Sequence, residues 1–137
     1  MNITVIRALF YLSAAYDGAL GLAFIFAPAA IYTLFNVPPP NHLGYVQFPA
    51  AMLMIFAVMF LSVARNPAAN KSLIPYGILL KVAFCGVSGA YWGLGNLPAM
   101  WQPFFVCDMI FMFLYVLVYR QLTAEAPGSA GGSVASS

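Results

Sequence analysis

The chain predicts an all-α fold, a bundle of four transmembrane helices with both termini cytoplasmic, and three observations carry that expectation. Of its 137 residues 64% are hydrophobic and only 6% are charged, whereas soluble domains carry roughly 25% charged residues. Four continuous apolar runs each approach the roughly 20 residues that a helix needs to cross a bilayer. The basic residues complete the pattern. Arg7, Arg65, Lys71 and Arg120 fall on one side after four crossings, and the loops on the other side, 28–43 and 95–100, contain no lysine or arginine. The positive-inside rule then puts both termini and the loop 65–71 in the cytoplasm.

Composition also excludes classes of function. A mean hydropathy of +0.91 would leave a water-facing fold with apolar patches that aggregate. Lipid is the expected solvent and the bilayer the expected partner. The net charge of +2 comes from eight charged side chains, too few for a nucleic-acid footprint. Cys85 and Cys107 sit in apolar runs without CxxC or metal-ligand spacing, which reads as packing rather than redox chemistry. No pattern names a metal or any other cofactor.

The crossings are placed at 5–27, 44–64, 73–94 and 101–120, within one domain, 1–122. Unbroken apolarity favours helices over the alternation of a membrane barrel. The first run is read as a true span, not a cleaved leader, because Asp17 breaks its apolar centre and Pro28 follows too late. Around Asp17 lie Ser13, Ala14, Gly18 and Gly21; the pairs Ala14–Gly18 and Asp17–Gly21 share faces that let a neighbour approach closely. Pro28 ends the span. Residues 29–35 are too short to cross and are expected at the outer interface, before the Pro38-Pro39-Pro40 elbow. His42, alone in that loop, reads as a solvated residue, since a metal or haem needs partners that are missing.

The second helix has no charge in its interior and Gln47 and Pro49 near its outer end as its distinctive features, and Met52, Met54 and Met59 read as packing. Pro67 keeps the loop 65–71 a tight turn, which predicts that helices two and three are antiparallel neighbours. The third helix puts Lys81, Cys85, Ser88 and Trp92 roughly on one face. Gly86, Gly89 and Gly93 form a smooth stripe beside it. Gly89–Gly93 is a GxxxG pair, the candidate surface for a homo-oligomer or a larger membrane complex. The fourth helix carries Asp108, with Met112, Tyr115 and Tyr119 continuing its face. Tyr91, Trp92, Trp101 and Tyr119 mark the water–lipid boundaries. The Gly-, Ser- and Ala-rich stretch 123–137 is expected to be a disordered tail.

The sharpest inference concerns depth. Asp17 follows Arg7 by ten residues, Lys81 follows Lys71 by ten, and Asp108 precedes Arg120 by twelve. A helical rise of about 1.5 Å per residue sets them roughly 15, 15 and 18 Å from the cytoplasmic markers. All three therefore lie near the middle of a hydrocarbon layer about 30 Å thick. Each ion alone costs about 2.5–3.5 kcal/mol on insertion scales, so facing one another is the cheap arrangement. One ammonium with two carboxylates sums to −1, and the expected cluster Asp17–Lys81–Asp108 shares a proton. Tyr16, Ser13, Ser88 and Tyr115 are candidate hydrogen-bonding groups around it. The competing reading of the cluster is an ionic tie that only fixes helix pairing.

A resemblance adds to this reading. Arg7 before the first span, the Gly-rich first helix and the run Gly-Ile-Leu-Leu-Lys at 77–81 resemble the DoxX-like group. Related four-span chains also carry a lysine in helix three and an aspartate in helix four. The likeness covers approximately residues 7–120 and matches at Arg7, Gly77 and Lys81. It implies a left-handed four-helix bundle in the bacterial inner membrane; some DoxX-like proteins are linked to quinone-coupled sulfur oxidation or membrane redox complexes. It supplies no catalytic residue, and Asp17 and Asp108 rest on the depth argument.

Three classes of function follow. The first is a membrane module that binds a small polar ligand, a proton or a quinone-like headgroup at the cluster. The second is an accessory subunit packed through its Gly-rich face. The third is a membrane enzyme using aspartate and lysine as acid and base on a lipid-soluble substrate. A pocket reaching Lys81 favours the first or third; a sealed cluster with a flat Gly89–Gly93 surface favours the second.

Overall fold

The computed structural model describes residues 1–135, with side chains through Glu125. For the expected tail, 123–137, the side chains from residue 126 and the last two residues lie outside the described part. Among the described residues five α-helices follow in order: α1 Ile3–Phe26, α2 Pro28–Leu34, α3 Gly44–Arg65, α4 Ile74–Gly93 and α5 Gln102–Ala135. Short 3-10 turns, Lys71–Leu73 and Ala99–Trp101, lead into α4 and α5. No strand occurs among the described residues. Four helical stretches are long and apolar enough to span a membrane: Ile3–Phe26, Gly44–Arg65, Lys71–Gly93 and Ala99–Glu125. Each overlaps one of the expected crossings.

Local chemistry explains the boundaries. The Asn2 side chain accepts a hydrogen bond from the Val5 N–H at 2.9 Å and starts α1, satisfying one of the unpaired donors at a helix start. Pro28 opens α2 at a position where its missing N–H costs nothing. α2 closes through Asn36, whose φ of 54° lets the Val37 N–H reach back to the Tyr32 carbonyl at 3.0 Å. α4 closes the same way through Gly95, with φ of 77° and a bond from the Asn96 N–H to the Tyr91 carbonyl at 2.9 Å.

Side chains tie the helix ends together. Arg7 Nε donates to the Ala64 carbonyl at 3.0 Å, which places a cation on the carbonyl-rich end of α3. The Met1 amino group donates to Gln121 Oε1 at 3.0 Å. Arg7, Arg65 and Arg120 thus gather with the 65–71 turn at one end of the bundle. At the other end Gln47 Nε2 donates to the Ile25 carbonyl at 3.1 Å and satisfies the last turn of α1.

α1 packs most extensively along α3, and α4 along α5. Small residues allow the first pairing. A Cβ added at Gly21 would lie 2.8 Å from the Ala50 carbonyl oxygen, and one at Gly18 would lie 3.6 Å from the Ala57 Cβ. The glycine face around Asp17 is therefore occupied by α3, as its spacing predicts for a close neighbour. Phe10, Phe60 and Tyr115 stack beneath this contact with centroids 5.2–6.1 Å apart.

The expected pairing of α3 with α4 is corrected. The 65–71 turn makes the two antiparallel, yet they meet only sparingly. Gly77 sits under the Phe60 ring, where a Cβ would come within 2.7 Å. Beyond that point α3 follows α1 and α4 follows α5, so the seam between them opens. The sequence treats the short turn as decisive, whereas the partners' small-residue faces decide. α2 folds back against the bundle: Tyr32 is buried beside Phe24 and Trp101, at centroid distances of 6.4 Å each.

Candidate functional site

Lys81 projects from the middle of α4, where 1% of its side chain is exposed. Its Nζ donates to Asp17 Oδ1 on α1 at 3.0 Å, to Asp17 Oδ2 at 3.3 Å and to Asp108 Oδ1 on α5 at 3.0 Å. The ammonium also lies 5.4 Å from the ring centre of Tyr16 and 5.5 Å from that of Phe111, within cation–π range. Three ions from three helices share one buried point, as the cost of a lone buried charge leads one to expect. Such a group is stable only when each charge is partnered, because removing one partner leaves another ion buried and alone.

The three are not equivalent. Asp17 is as buried as the lysine, at 1%, while 10% of the Asp108 side chain is exposed. That exposure opens onto a cavity of about 460 Å³ lined by residues of all five helices. Asp17 and Asp108 form its inner end together with the Tyr16 ring; Leu20, Phe56, Leu80, Phe84 and Phe104 form the walls. Phe24, Tyr32 and Trp101 close its outer end, with Phe24 stacked on Trp101 at 5.4 Å. Burial raises the pKa of the Tyr32 phenol above the ordinary tyrosine value, which keeps it neutral. The cavity opens between α3 and α4, where the rim residues Tyr45, Met52 and Ala83 are exposed. Pro49 lies in this stretch of α3 and lines the cavity as well.

The remaining expected site residues take separate places. Tyr115 Oη donates to Ser13 Oγ at 2.6 Å, and Ser13 Oγ donates to the Leu9 carbonyl at 2.8 Å. These two satisfy one another rather than the ions. The Tyr16 hydroxyl is buried and has no hydrogen-bond partner among the described residues; its ring, not its oxygen, serves the ammonium. Ser88 shares the buried face of α4 with Lys81 and Cys85, but no hydrogen bond links it to the cluster. It lines a shallower groove with Tyr91 and Asn96 instead. The two cysteines are free, and Cys85 Sγ donates weakly to the Phe105 carbonyl at 3.8 Å. His42 Nδ1 accepts from the Gly44 N–H at 3.0 Å and helps to start α3.

The GxxxG pair divides. A Cβ at Gly89 would lie 3.1 Å from the Phe105 ring of the same chain, while Gly86 and Gly93 have nothing within 4 Å. The feature sequence reasoning missed is the aromatic cavity. Its signals in the sequence are aromatic residues spread over all five helices and the turn before α5, which read equally well as lipid-facing or packing side chains.

The fold and the site define a class: a helical protein of membrane-spanning dimensions that holds an ion cluster at the base of a lateral apolar cavity. No family model, curated protein or solved structure matches the chain.

Proposed function

We propose that the protein binds a lipid-soluble ligand with a small polar head, which enters between α3 and α4 and rests its head on the Asp108 side of the ion cluster. One observation carries this reading: the cavity of about 460 Å³ ends on the two carboxylates of the ion cluster, of which Asp108 is the less buried. Apolar walls with one or two convergent polar groups are the common design of small-molecule sites, and volumes of about 300–1,000 Å³ are usual for them. A quinol-type headgroup suits the chemistry, because its hydroxyl donates to a carboxylate and the cluster can hold a shared proton. Both termini and the 65–71 turn face the cytoplasm in this reading, supported by the basic residues gathered at that end. The DoxX-like resemblance supports a bacterial inner membrane.

Native mass spectrometry of the protein released from its own membranes tests the proposal. A small lipid-soluble molecule stays bound to the wild type, and Ala83→Trp, at the exposed rim, expels it. A wild type that carries only bulk phospholipid, at the same level as Ala83→Trp, removes the ligand-binding reading. A second reading, an accessory subunit docked through α4, draws on the open backbone at Gly86 and Gly93.

A further inference from the structure

We propose that the head this cavity selects is a cation, and that its ligands are lipophilic organic cations such as quaternary ammonium or phosphonium compounds. The inference rests on the ligand-binding reading above and narrows it to a chemical class. Three observations converge on it.

The first is charge. Two carboxylates face one ammonium, and the ammonium is the sealed member: Lys81 is absent from the cavity wall, while Asp17 and Asp108 belong to it. A head in the cavity therefore meets negative charge first. The chain's other basic side chains, Arg7, Arg65, Lys71 and Arg120, lie toward the end where the 65–71 turn sits, away from the opening. The second observation is the wall. Eight of the lining side chains are aromatic, and they run as a continuous surface from Tyr16 through Phe104 to Trp101 and Phe24, with successive centroids 5.4–6.3 Å apart. Aromatic faces attract cations within about 6 Å, and cages of such rings recognise quaternary ammonium groups that cannot donate a hydrogen bond. The third is what the inner end lacks. The Lys81 hydrogen bonds all go to the two carboxylates, so the cluster turns an acceptor toward the ligand. An acceptor-only head such as a quinone carbonyl gains little there; a cation takes the place of the shared proton, so that two carboxylates, one ammonium and the bound cation sum to zero.

Several titratable and charged groups surround Asp108. These are Lys81 and Cys85 on α4, Asp17 and Tyr16 on α1, and Cys107 and Tyr115 on its own helix. α3 adds Tyr45 at the rim and α2 adds Tyr32 at the outer end.

The test is equilibrium binding to the full chain in nanodiscs, with tetraphenylphosphonium as the cationic probe and a short-chain benzoquinol as the neutral one. Saturable binding of tetraphenylphosphonium is expected, displaced by the benzoquinol and weakened about tenfold or more in Asp108→Asn. Should Asp108→Asn fail to fold, the wild type alone decides, since its affinity for the cation must fall as pH is lowered and protons compete for the carboxylates. Binding of the benzoquinol but not of the phosphonium overturns the cation assignment and leaves the binding site standing. Phosphonium binding that is insensitive to both pH and Asp108→Asn also overturns it. Failure of both probes to bind counts against the ligand-binding reading itself.

Discussion

Two phenols in the same core face opposite bookkeeping. Tyr115 is fully buried and donates to Ser13 at 2.6 Å, whereas the Tyr16 hydroxyl is buried without a partner. A buried hydrogen bond contributes about 0.5–1.5 kcal/mol, and an unmet polar group costs about 1–3 kcal/mol. Tyr115→Phe is therefore expected to destabilise the protein by about 1 kcal/mol, and Tyr16→Phe to be neutral or stabilising. Reversible unfolding in mixed micelles measures both. Equal losses in the two variants would show that Tyr16 has a partner after all. The sequence places both phenols near the ions, one on α1 and the other on α5, but hydroxyl direction depends on rotamers that no residue pattern encodes. Ser88 shows the same limit: it shares a face with Lys81 yet looks into a different groove.

At the level of the helices, glycines with the same sequence appearance do different jobs. Gly21 lets α1 touch the backbone of α3, and an added Cβ would meet the Ala50 oxygen at 2.8 Å. Backbone cannot turn aside as a flexible side chain can, so the two helices must separate. Gly21→Ala is expected to cost about 1–3 kcal/mol, in the range of overpacked cores. Gly93 has open space around it, and Gly93→Ala is expected to be neutral or slightly stabilising, since glycine is about 1 kcal/mol worse than alanine inside a helix. Unfolding curves for the pair make the check, and equal effects would contradict the pairing of α1 with α3. The spacing of small residues on α1 was enough to foresee a close neighbour. It was not enough to say which one, because α3 competes with α4 for that place and the loop 65–71 misleads in favour of the α3–α4 contact.

For the whole molecule, the four span-length apolar helices and the meeting of the three ions are legible in the sequence because simple rules govern both: apolar length marks the helices, and the cost of a lone buried charge brings Asp17, Lys81 and Asp108 together. The cavity was not legible, since it arises from a seam between two helices that each prefer another partner. Orientation has its own test. In a protein with Cys85 and Cys107 replaced by serine, Asn41→Cys should react with a membrane-impermeant maleimide on intact cells, and Ser72→Cys only after permeabilisation. The reverse pattern would invert the bundle and put the cavity's outer end in the cytoplasm.

The central claim is that one ammonium and two carboxylates from three helices act as a single buried unit, and unfolding free energies of matched variants test it most directly. Lys81→Met alone leaves two acids without their cation and is predicted to cost about 3–5 kcal/mol. Combining it with Asp17→Asn and Asp108→Asn removes every charge and is predicted to restore most of that loss, a strong non-additivity expected only of residues in contact. Should the triple variant instead lose the sum of the three single losses, the residues do not act together and the account of the site is wrong.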